Sequence, residues 1–109
     1  MKQHVNLSEI IQEIGQVPRK YHEFIRTKDL STGIYKIAVG QTDIQTPHAE
    51  DEVYYIIQGK SKFIHGSAVL EVKSGDFLFV AATVEHRFID VEEDMIVLVF
   101  FGPAEGNNK

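Results

Sequence analysis

His48, Glu52 and His86 are the residues of this chain whose types could do chemistry together. His48 precedes an acidic run, Glu50-Asp51-Glu52, which leads into Val53-Tyr54-Tyr55-Ile56-Ile57 and stops at Gly59. His86 follows a second apolar run, Phe77-Leu78-Phe79-Val80. Two imidazoles and a carboxylate can hold a divalent metal and leave coordination positions open. Such a set is typical of non-haem Fe(II) and also suits Mn, Ni, Zn or Co. Taken singly, a residue such as His48 or Glu52 is more often a satisfied polar or surface residue than a ligand. The chemistry therefore depends on the elements that would bring them together.

Those elements must come from one small domain. The chain has 109 residues, enough for a single core. Its formal charge of −5 gives no electrostatic case for nucleic acid or for an anionic membrane. It contains no cysteine, which excludes disulfides, thiolate zinc sites, iron–sulfur clusters and cysteine nucleophiles. Any metal must be held by His, carboxylate, amide or hydroxyl groups. Met1 to Asn6 lack the apolar core of a signal peptide, and no apolar run reaches the roughly 20 residues of a membrane helix. A soluble, cytoplasmic protein is expected.

Leu7, Ile10, Ile11 and Ile14 fall at i, i+3, i+4, i+7 and predict one short helix over 6–14, capped by Asn6 with Glu9 and stopped by Gly15. The remainder reads as strands over 34–39, 52–58, 61–65, 68–73, 76–81, 86–91 and 94–101. The punctuators are Ser31-Thr32-Gly33, Gly40, Gly59-Lys60, His65-Gly66-Ser67, Lys73-Ser74-Gly75 and Glu92-Glu93-Asp94. This spacing predicts an all-β sandwich or small antiparallel barrel. Strands 76–81 and 95–101 are apolar on both faces and call for an outer layer. The helix could cover one and a second copy of the chain the other, making a homodimer.

The two segments resemble the signature motifs of the cupin family. The first motif, G-x5-H-x-H-x3-E-x6-G, is matched by Gly40, His48, Glu52 and Gly59 with every spacing kept, while Thr46 stands where the first His would be. The second, G-x5-P-x-G-x2-H-x3-N, is matched by Gly75 and His86, with Ala81, Thr83 and Asp90 as substitutions. The resemblance covers residues 33 to about 101. It implies a jelly-roll barrel over 33–101, preceded by a helix and lead-in strand in 1–32 and followed by a tail in 102–109 that reads as loop or disorder.

It also implies a metal site of His48, Glu52 and His86, with a divalent ion (Fe, Mn, Zn or Ni) as cofactor. Strand alternation puts Tyr54 and Ile56 on the same face as Glu52, and Phe88 on that of His86. Thr46, Tyr54 and Phe88 are thus candidates to line a small-molecule pocket. Glu50 is either an extra ligand or a surface acid. Gln45 could offer an amide oxygen if Pro47 introduces a bulge. His4, His22 and His65 fall in no such frame. Three functions fit: metal-dependent oxygenase or isomerase chemistry on a small molecule, ligand or metal binding without turnover, and a structural barrel with an empty site.

Overall fold

The computed structural model describes residues 3–15, 21–43 and 47–106. Gln45 and Thr46 lie outside the described residues. Among the described residues one helix, α1 (Leu7–Gly15), precedes six strands: β1 (Tyr21–Arg26), β2 (Ser31–Ile37), β3 (Asp51–His65), β4 (Ala68–Lys73), β5 (Phe77–Val80) and β6 (His86–Gly102). All pairings are antiparallel, in the order β1-β2-β6-β3-β4, and β5 also pairs with β3. Asn6 caps α1 as expected: its Oδ1 accepts the Ser8 N–H at 2.9 Å. None of the described helices is long and apolar enough to cross a membrane.

β3 organises the molecule. Its first half, Glu52 to Tyr55, pairs with β5, its second half, Lys60 to His65, pairs with β4, and β6 runs along its other edge. The strand changes partners at a bulged stretch between Ile56 and Lys62. Gly59 makes that bend at φ +109°, and a Cβ there would sit 2.5 Å from Met95 Sδ and 2.6 Å from the Asp94 carbonyl oxygen. Only glycine meets both demands. The bulge also switches which residues face inward: Glu52, Tyr54 and Ile56 are buried before it, Ser61 and Phe63 after it.

β6 does the same, burying His86 and Phe88 and then Met95, Val97, Val99 and Phe101. Asp90, at φ +50°, lies in the interval. The bends curl the sheet around an interior built from Ile37, Tyr54, Ile56, Phe63, Val80, Phe88 and the inward residues of β6.

Three expected boundaries move. Segments 52–58 and 61–65 are one strand, as are 86–91 and 94–101. Glu92, Glu93 and Asp94 lie within β6 as exposed residues rather than ending a strand, with Lys60 Nζ 3.3 Å from Glu92. Ser31-Thr32-Gly33 opens β2 instead of forming a turn. Gly33 is there because the Tyr21 ring lies over it: a Cβ would meet Tyr21 Cζ and Oη at 2.3 Å.

The outer layers are supplied unequally. Ile10 and Ile14 of α1 bury against Ile34 of β2, with Ile57, Ile96 and Leu98 at the border of the same cluster, so the helix packs on β1 and β2 and reaches β6 only at its edge. Among the described residues β5 has no such cover. Phe77 is 70% and Phe79 59% exposed. Across the strands Val53 stands between Phe79 and Phe100, and Tyr55 between Phe77 and Leu98.

Candidate metal site

The bulged strands carry Glu52 and His86 to the same interior. Glu52 is the first inward residue of β3 and His86 the first of β6; they are 1% and 2% exposed. His48 comes from the segment just before β3. Its carbonyl accepts the Thr83 N–H at 2.7 Å, which ties that segment to the loop before β6. Thr83 adopts φ +69° although it is β-branched. The backbone form that the second motif assigns to glycine is therefore kept at this position without one.

Ligand atoms of His48, Glu52 and His86 all lie within 4.8 Å of one another. His86 Nδ1 is 2.8 Å from the Val84 carbonyl oxygen, which can only accept, so Nδ1 carries the hydrogen. That assigns the ring's other nitrogen, Nε2, to the interior, where it lies 3.0 Å from Glu52 Oε2. The contact is short enough for an ion pair but lacks the alignment of a hydrogen bond: Nε2 and both Glu52 oxygens are buried with no hydrogen-bond partner among the described residues. Buried polar atoms are rarely left so. Unaligned donor atoms that converge are what a cation would satisfy, and a hard or borderline divalent ion suits imidazole with carboxylate. The residues present fit a metal.

Burial of the His86 ring opposes its charge. The Glu52 carboxylate at contact distance, the Val84 carbonyl and the more distant Asp43 carboxylate outweigh that, and the pKa stands above the ordinary imidazole value. Asp43 is itself buried, bonded to the Tyr35 hydroxyl and accepting the Phe88 N–H at 2.7 Å. It ties the stretch after β2, at Asp43 itself, to Phe88 of β6.

Tyr54 and Phe88, each 1% exposed, form the floor beneath the site. Their rings are 5.5 Å apart, and Tyr54 lies 5.9 Å from the His86 ring. Glu50 stands apart from the three converging residues. It is neither a surface acid nor one of that group: it is 3% exposed and its Oε2 accepts the Gly106 N–H at 3.2 Å. His22 is engaged elsewhere, 2.9 Å from Glu13 of α1.

Two nearby residues were not legible as site residues. Glu105 follows the last strand, in a stretch with no periodicity, yet its Oε2 lies 3.6 Å from His48 Nδ1. Burial pushes the Glu105 carboxyl above its usual range, against the pull of His48. The Tyr21 hydroxyl is buried with no hydrogen-bond partner among the described residues, its ring 6.4 Å from Phe101, which in turn packs 5.1 Å from His48. Burial first, then the Glu105, Glu23 and Glu52 carboxylates, hold that phenol protonated. Gly33 inside a strand is the only sequence signal for it.

The profile of the cupin domain matches residues 33–101. The chain belongs to the cupin family. An uncharacterized protein of Streptomyces coelicolor is 37% identical over 99 residues, 91% of this chain and 94% of that protein. A double-stranded β-helix protein of unknown role from Klebsiella pneumoniae superposes with a TM-score of 0.78 at 16% identity, covering 100% of this chain and 95% of that one. The DMSP lyase DddQ of Ruegeria pomeroyi gives 0.65 at 19% identity over 70% of this chain and 39% of its own. These two structural likenesses show the fold alone. Cupins commonly bind metal, and this one has the His48–Glu52–His86 group that could hold an ion.

Proposed function

We propose that this cupin binds one divalent metal through His48, Glu52 and His86, and uses it to hold and act on a small molecule inside the barrel. The observation that carries this reading is the convergence of buried donor atoms on Glu52 and His86, in ion-pair contact but without an aligned hydrogen bond among the described residues, beside the half-buried His48. A bound divalent ion would act as Lewis acid and template, with O₂ or a bidentate ligand as further partner. The protein's own residues fix the donor atoms. Val84 sets the His86 tautomer, Thr83 holds the His48 segment, and Tyr54, Phe63 and Phe88 exclude water from below. Tyr21 offers a protonated hydroxyl to a ligand near Phe101. Oxygenase- and isomerase-type reactions both suit the open set. Binding without turnover is the other reading.

The test is a titration of metal-free protein with Co²⁺, followed by a panel of small hydroxy acids, keto acids and sugar acids. A Co²⁺ absorption spectrum that a panel member perturbs supports the reading, and consumption of O₂ or isomerisation of that compound separates turnover from binding. No ligand-field bands on adding Co²⁺ would refute the metal site.

The His86 shift fixes a pH dependence. Because its folded pKa is raised, the stability it gives the metal-free protein is fully present below the unfolded value of about 6.5 and is lost as pH rises through the folded value. Metal must displace the same proton, so affinity is expected to rise with pH across that window and then level off. Calorimetric titration between pH 6 and 9 measures it; affinity that falls with pH would contradict this account.

We also assign the exposed Phe77 and Phe79 face to a second copy of the chain, working in the cytoplasm, where a cysteine-free protein is at home. Light scattering at micromolar concentration should give a dimer mass, and Phe79→Lys a monomer. A monomeric wild type would end this assignment.

A further inference from the structure

The segment after β6 is fastened to the barrel at every residue from Ala104 to Gly106. The Ala104 N–H reaches the Lys28 carbonyl at 3.4 Å, and the side chain of Ala104 is fully buried. The Glu105 N–H donates to Ser31 Oγ at 2.9 Å, and its carbonyl accepts from Arg26 Nη2 at 2.7 Å. The Gly106 N–H donates to the buried Glu50 carboxylate at 3.2 Å. These anchors come from β1, the turn after it, β2 and the segment before β3. They fix the Glu105 backbone on both sides, and so fix where its side chain can reach. That side chain stands 3.6 Å from His48 Nδ1, at ion-pair distance rather than in a hydrogen bond, and lies outside the three residues whose donor atoms converge.

We propose that Glu105 is a positioning residue for the metal: its carboxylate holds the hydrogen of His48 on Nδ1 and leaves Nε2 as the donor atom. The inference rests on the metal-site reading above. A free imidazole exchanges between two tautomers, and a carboxylate beside one nitrogen selects between them and fixes the ring plane. His86 receives the same service from the Val84 carbonyl. The two histidines are thus prepared by different means, one from its own loop and one from the far end of the chain. Glu50 gains a role as well: its carboxylate clamps the end of this strap.

The test uses the full chain with Zn²⁺ as the probe, in wild type, Glu105→Leu, Glu105→Gln and His86→Ala. Leucine removes the acceptor, glutamine keeps one without charge, and both leave the main-chain anchors intact. Competition with a chelating dye gives affinity, and long-range ¹H–¹⁵N correlation of the histidine rings in the Zn²⁺-loaded protein gives the tautomer. Glu105→Leu is expected to bind Zn²⁺ about 10–100-fold more weakly, with mixed His48 tautomers. Glu105→Gln should recover part of the affinity. A thermal midpoint of the metal-free variants matching wild type separates orientation from a folding defect. If the leucine variant does not fold, the glutamine variant decides alone, by weaker binding and a loosened tautomer. Affinity within twofold of wild type, or an unchanged His48 tautomer, overturns the proposal while leaving the metal site standing. Wild type binding no better than His86→Ala would overturn both.

Discussion

His86→Leu is expected to cost the metal-free protein about 3–5 kcal/mol, the usual loss when one partner of a buried ion pair is removed. The substitution keeps an apolar side chain in the space, so packing accounts for little of the change. What it leaves behind is the Glu52 carboxylate, 1% exposed, with neither oxygen hydrogen-bonded among the described residues and its ion-pair partner at 3.0 Å gone. For a domain of this size the thermal midpoint should fall by more than roughly 10 °C. Acid should relieve the loss, because a protonated carboxyl no longer carries the buried charge. The double variant Glu52→Leu/His86→Leu should recover most of it, since an apolar pair of similar volume is often as stable as the ions it replaces. Thermal unfolding of the three variants in chelator measures this. A single variant that loses less than about 1 kcal/mol would mean water reaches Glu52 and the pair is not buried as described.

Glu52→Gln is expected to move stability and binding in opposite directions. The amide has the shape of the carboxylate and can donate to His86 Nε2, turning an unaligned contact into a neutral hydrogen bond. The metal-free protein should therefore be as stable as wild type or more so. Metal affinity should fall by at least ~100-fold, more than removal of an outer partner usually costs and equivalent to about 2.7 kcal/mol. Unfolding midpoints with and without Zn²⁺ read both quantities at once. Loss of stability together with unchanged affinity would make Glu52 a structural residue and dismiss it from the site. Opposed signs are the mark of a site held in an arrangement that binding needs and folding does not.

Much of this arrangement was legible in the residues, and the failures have physical causes. His48, Glu52 and His86 converge because glycine frames and strand alternation specify side as well as position, and Gly59 in particular does what its place in the motif requires. The long strands were missed because each changes its inward parity partway. Glu52, Tyr54 and Ile56 give way to Ser61 and Phe63, and His86 and Phe88 to Met95 and Val97. A periodicity that slips by one residue reads as two strands with a turn between them. Gly33 looked like a turn for a related reason: it serves the Tyr21 ring on a neighbouring strand, a relation no local pattern contains.

Glu105 was illegible for a different reason. Its position is set by single hydrogen bonds, one accepted from Arg26 and one donated to Ser31, far away in the chain, and such contacts leave no repeat. Glu50 and Glu52 show the same limit at close range. Both are buried acids two residues apart, yet one clamps the strap and the other faces the histidines. The motif frame separated them; composition alone would not.

The most direct measurement is the metal content of protein purified without an affinity tag, for wild type and for His48→Ala, Glu52→Ala and His86→Ala. About one divalent ion per chain is expected in wild type after reconstitution and near none in each variant. The same trace metal in all four proteins would contradict it.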